Sequence, residues 1–149
     1  MTTQSHRTRI LGIASLLAVT MSFAAVALFT GSAGGAQAET AKAAVDSDGV
    51  MRVRIVAGSY FFKPNHVVVK ARTPVELTVV KEPGVAPHNF VMQAPEAGLA
   101  IEKELTSEPT RIAFTPTLPG RYAFYCTNKL LFMPSHRQQG MEGVLEVVE

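Results

Sequence analysis

From Met51 onward the chain alternates in short bursts, and that period of two limits its fold more than any other feature. In MRVRIVAG, residues 51–58, Arg52 and Arg54 alternate with Val53 and Ile55, the pattern of a strand with one wet face. HVVVK and PVELTVV continue the signal on either side of Ala-Arg-Thr. HNFVM at 88–92, TRIAFT at 110–115, RYAFYC at 121–126 and GVLEVV at 143–148 follow, separated by Pro, Gly and polar turns. Residues 94–108, APEAGLAIEKELTSE, are the one helix-compatible stretch. They lack a continuous apolar face and read as a loop with at most one helical turn. Seven to eight short strands with almost no helix predict an all-β sandwich.

The first forty residues do not read as part of that sandwich. Residues 1–9 carry His6, Arg7 and Arg9 and no acid, residues 10–29 are apolar or small, and Ala36-Gln37-Ala38 stands just before Glu39. That order predicts a signal peptide over residues 1–38. The alternative is an uncleaved anchor, since about 20 apolar residues just span a bilayer. Thr20, Ser22 and the alanines that dilute the run favour cleavage. Residues 39–49 are then a flexible lead-in and residues 50–149 the working domain, expected in the periplasm and at the membrane only if the leader stays attached. All twelve acids and twelve of the fourteen Lys and Arg fall in residues 39–149. The net charge of that part is zero, which argues against nucleic acid as a partner.

An exported chain with one cysteine cannot close an internal disulfide, so Cys126 is paired between chains, reactive, bound to something, or simply a small buried hydrophobe. Its neighbours bear on the choice. His136 follows after nine intervening residues and Met141 after four more. A thiolate, an imidazole and a thioether on one loop form a soft S/N/S set, and a second imidazole would complete it. His88, in PGVAPHNFVM, is the candidate. A His₂Cys set with a weak axial Met suits copper, whereas structural zinc prefers four Cys and His ligands and calcium or magnesium asks for oxygen. Each residue also has a plainer reading: Met141 as core filler, His136 and His88 as solvated loop or strand-end residues. His66, in PNHVVVK, is expected to face solvent.

On these residues the chain resembles the cupredoxins, the small type 1 copper family, from residue 51 to residue 148. FFKPNHVVVKARTPVELTV is similar to the family's early strand pair, PHN at 87–89 to its first ligand segment, FTPTLPGRYAFYCT at 114–127 to the strand entering the ligand Cys, and HRQQGM at 136–141 to its final His and axial Met. The resemblance implies a Greek-key β-sandwich holding one copper ion. It makes His88, Cys126 and His136 the strong ligands and Met141 the long axial one. It also implies that Asn89 and Thr127 form the outer pair that ties the two ligand segments together, an arrangement that orients ligands and tunes a metal. The nine-residue spacer TNKLLFMPS departs from the short spacing of small electron carriers. It is closer to the type 1 domain of copper nitrite reductases, and it makes Met133 a competing axial candidate.

No Ser-His-Asp set, acid pair or phosphate-binding Gly loop is visible, so the expected role is electron carrier rather than enzyme. A transient donor and acceptor are the expected partners, and the working form is a monomer. Leu131, Phe132, Met133 and Pro134 form the expected docking surface beside His136, with Lys129 and Arg137 orienting an acidic partner. The alternative is a periplasmic copper carrier or chaperone that binds Cu(I).

Overall fold

The computed structural model describes Met1 and residues 38–149. The expected signal segment lies outside the described residues except at its two ends. Among the described residues no helix is long and apolar enough to cross a membrane.

Among the described residues ten strands form two sheets. They are β1 (Thr40–Lys42), β2 (Met51–Gly58), β3 (Phe61–Lys63), β4 (His66–Lys70), β5 (Val75–Lys81), β6 (His88–Ala94), β7 (Leu99–Leu105), β8 (Thr110–Phe114), β9 (Gly120–Tyr125) and β10 (Glu142–Val148). Two single 3₁₀ turns, Pro95–Ala97 and Arg137–Gln139, interrupt them. The larger sheet runs β1-β4-β10-β9-β6-β7 and the smaller β3-β2-β5-β8. The chain crosses between sheets, so that β2 pairs β5 and β4 pairs β10 in parallel while the remaining neighbours in each sheet, apart from β1 and β4, are antiparallel. This is a Greek-key β-sandwich. Alternation fixes which side chains enter it. In β2, Met51, Val53, Ile55 and Ala57 are buried while Arg52 and Arg54 are exposed. Phe62, Phe90 and Phe124 meet in the core at ring separations of 5.7, 5.5 and 5.2 Å, within the range where aromatic edges and faces attract.

The structure has more strands than the seven to eight expected. Residues 94–108 are a 3₁₀ turn and then β7, not a loop. Leu99, Ile101 and Leu105 are buried and Glu102, Lys103 and Glu104 exposed. The stretch pairs with β6 from end to end, His88 opposite Leu105 and Ala94 opposite Leu99. Charges on an edge strand keep further chains from adding to the sheet, and those charges hid its alternation. Residues 39–49, expected as a flexible lead-in, include β1, which runs parallel to β4 with Thr40 opposite His66. His66 is accordingly not a solvent-facing residue. It is half-buried, with Nδ1 3.0 Å from Thr40 Oγ1 and Nε2 2.8 Å from Glu146 Oε2.

Candidate metal centre

Strand register carries the four expected ligands to one end of the sandwich. Val91 and Met92 of β6 lie opposite Tyr125 and Phe124 of β9. Continued by two residues, that antiparallel register sets Asn89 across from Thr127. Glu142 of β10 lies opposite Tyr125, which sets Met141 across from Cys126, and the amide of Cys126 donates to the Met141 carbonyl at 3.1 Å. Cys126 and Phe124 share one face of their strand, as His88 and Phe90 share theirs. The two strand-borne donors therefore stand directly on the aromatic core. Two bonds close the connecting loop, from the His136 amide to the Asn128 carbonyl and from the Met141 amide to the His136 carbonyl, each 2.9 Å. Gly140, at φ 102°, turns the chain out of the 3₁₀ turn toward β10, a conformation that a side chain resists.

The side chains converge. His88 Nδ1 lies 3.1 Å from His136 Nδ1, Cys126 Sγ lies 3.4 Å from His136 Nδ1, and Sγ lies 4.0 Å from His88 Nδ1. Nitrogen and sulfur donors placed about 2.0–2.3 Å from one ion and 120° apart stand roughly 3.5–3.8 Å from one another. The triangle observed is close to that size, so the three residues fit a trigonal metal. Among the described residues they are the one group of three or more His, Cys, Asp or Glu so gathered. All three are buried, and Met141 is fully buried beside them. Met133, the competing axial candidate, is exposed.

Burial also sets their protonation. The His88 imidazole is pushed down to about 4, first by desolvation and then by the nearby His136 and Lys81 charges. Desolvation lowers His136 as well. Burial raises the Cys126 thiol, an effect that hydrogen bonds from the Asn89 and Asn128 amides only partly offset. At neutral pH the metal-free site is thus two neutral imidazoles and a thiol, with both imidazoles already in the form that binds a metal. A cation is needed to make the thiolate comfortable there.

Asn89 and Thr127 are bonded to one another. Asn89 Nδ2 donates to Thr127 Oγ1 at 2.7 Å, the Thr127 amide donates to Asn89 Oδ1 at 2.8 Å, and the Asn89 amide points to Cys126 Sγ at 3.4 Å. Leu131, Phe132, Met133 and Pro134 are all exposed, Phe132 at 91%. Arg137 is ion-paired with Glu142 at 2.9 Å, with its side chain 46% exposed. Tyr60 also borders the site. Its ring packs edge-on against His136 at 5.0 Å, and its φ of 69° is a left-handed conformation rare for a bulky residue. Nothing in SYFFKP signals either property.

Comparison with known proteins agrees with this architecture. Residues 18–141 match the family profile of the cupredoxin-like domain. A plastocyanin from Dryopteris crassirhizoma is 34% identical over 103 residues, covering 60% of this chain and 90% of that protein. The metal-binding domain of a Cu(I)-exporting P-type ATPase from Streptococcus pneumoniae superposes with a TM-score of 0.57 at 24% identity, over 75% of this chain and 98% of that one. Dithionite-reduced auracyanin from Roseiflexus castenholzii superposes with a TM-score of 0.53 at 23% identity, over 66% and 97%. At these identities the two structures speak for the fold alone.

Proposed function

The chain belongs to the cupredoxin-like family, and from that premise we propose that it is an exported, periplasmic one-electron carrier holding a single copper ion between His88, Cys126, His136 and Met141. The observation that carries the reading is the convergence of three buried donors within 4.8 Å of one another, with Met141, also buried, bonded through its backbone to Cys126. Copper bound there supplies a reversible one-electron couple. The chain's own residues hold the donors still while the charge changes. His88 and Cys126 are fixed by the strands and by Phe90 and Phe124, and Asn89 fixes the spacing between the two strand ends through its paired bonds to Thr127. With all four candidate ligands from the protein and all buried, the site has the closed form of a redox or structural metal rather than the open position of a catalytic one. That supports a carrier and not an enzyme.

The exposed apolar run at 130–134 is the docking surface for a transient donor and acceptor, since an exposed apolar patch next to a buried site marks an encounter surface and redox encounters are small. A Cu(I) carrier is the second reading. Burial of every donor weighs against it, because handing a metal on requires donors that an acceptor can reach.

The test is a visible and EPR spectrum of the Cu(II)-loaded protein, followed by reduction. An intense thiolate-to-copper band that bleaches reversibly, and is absent in Cys126→Ser, is the expected result. A colourless protein, or one that binds Cu(I) without cycling, would overturn the carrier reading in favour of copper delivery.

A further inference from the structure

Three residues, each next in sequence to a different candidate ligand, meet on the outer face of the larger sheet. Tyr125 precedes Cys126, Arg137 follows His136, and Glu142 follows Met141. The Arg137 guanidinium lies 4.0 Å over the centroid of the Tyr125 ring, and its Nε donates to Glu142 Oε2 at 2.9 Å. Tyr125 and Glu142 are directly opposite one another in the β9–β10 ladder. Side chains alternate across a strand, so the neighbours of inward-facing residues face out. The three therefore mirror the ligand loop on the far side of the backbone.

We infer that Tyr125, Arg137 and Glu142 form an outer clasp that positions the His136–Met141 segment over Cys126 and so sets how firmly the loop half of the ligand set is held. The inference rests on the copper reading of the site. The segment needs such a device. Its 3₁₀ turn is three residues long and has little stability of its own; the Ser135–Gln138 bonds and the Gln139 bond to the Pro134 carbonyl brace it locally, but they lie within the loop and do not tie it to the strands. The spacer before it is exposed from Lys129 to Pro134. The strands hold Cys126 and His88, whereas on the outer face it is Arg137 that ties the segment bearing His136 back to both strands at once. The clasp also accounts for Arg137 without a docking role: a guanidinium already stacked on one neighbour and paired with another is a positioning group.

Arg137→Gln, Glu142→Gln, the double variant and Arg137→Lys test it by two readouts. One is the rate at which the copper-loaded protein gives up Cu(I) to excess chelator. The other is amide hydrogen exchange at Gly140 and Met141 in the metal-free protein, whose amides are bonded inside the segment. Arg137→Gln is expected to speed both by about fivefold, the combined size of a half-exposed cation–π contact and ion pair, and Glu142→Gln, which leaves the stacking in place, by about twofold. The double variant should be no faster than Arg137→Gln, because one guanidinium serves both contacts. Arg137→Lys should fall between, keeping charge and losing the planar fork. Salt should bring the native protein toward the variants, since the pair is screened. Release and exchange unchanged in both single variants, or effects that simply add, would overturn the clasp. So would a slower reaction with a redox partner in Arg137→Gln alone, with release unchanged, which would return Arg137 to docking. A native protein that takes up no copper would overturn the copper reading instead, and amide exchange in the metal-free protein would still decide the clasp.

Discussion

Titrating the metal-free protein with Cu(II) at controlled pH should release far fewer protons than its ligands would release in solution. Two ordinary imidazoles titrating near 6.5 are each about nine-tenths protonated at pH 5.5, so with the thiol they would give up roughly 2.8 protons per ion. In the folded site His88 titrates down at about 4 and is only about 3% protonated at pH 5.5. His136, also lowered by burial, gives less than an ordinary imidazole. Cys126, raised by burial, still gives its whole proton. The total should lie between about one and 1.9 protons at pH 5.5 and stay close to one at pH 7.5. A pH-stat titration reads this number directly. The sign extends to folding. The unfolded chain protonates His88 at higher pH than the native one does, so the metal-free protein should lose stability as pH falls from about 6.5 toward 4, by at most about 1.4 kcal/mol per pH unit for this group. Release near 2.8 protons at pH 5.5 would refute the argument, because the imidazoles would then be ordinary and the burial that sets the donor state illusory.

Two more perturbations separate the scaffold from the surface. Asn89→Ala removes both bonds to the exposed Thr127, whose amide can then turn to water; urea unfolding should show a loss of about 2 kcal/mol, roughly 1 for each part-buried bond, with a shifted copper spectrum, and an unchanged midpoint would deny the tie any structural weight. Phe132→Ser acts on a residue 91% exposed, so stability should hold within about 0.5 kcal/mol and the spectrum should stay put. Electron exchange with a partner, followed by stopped flow, should slow, and an altered spectrum would show that the loop tip belongs to the site and not to the docking surface.

What could be read from the sequence was what local chemistry decides. β2 is visible because Arg52 and Arg54 alternate with residues that can only be buried. The donor set is visible because few combinations of Cys, His and Met at such spacing suit anything but a soft redox metal. β7 was not visible. Ala100, Glu102, Lys103 and Glu104 are at home in a helix, and only pairing with β6 along its whole length makes them a strand, an instance of tertiary context deciding β structure. β1 depends in the same way on a partner 26 residues away, held by His66 through Thr40. Tyr60 occupies a backbone conformation where glycine would be expected, so its packing on His136 left no trace in pattern or composition. Arg137 looked like a free surface cation because its partners, Tyr125 and Glu142, become neighbours only when the β9–β10 ladder forms.

Phe90 and Phe124 stack in the core at an angle of 20°, each two residues from a strand-borne donor. A substitution that disturbs that stack presses on the strands that carry His88 and Cys126. Under the copper reading, colour is therefore a readout of the interior. A collection of variants at Phe62, Phe90 and Phe124 could be ranked for correct packing by absorbance in crude extract, and those that fold with a distorted centre would be distinguished by hue from those that do not fold at all.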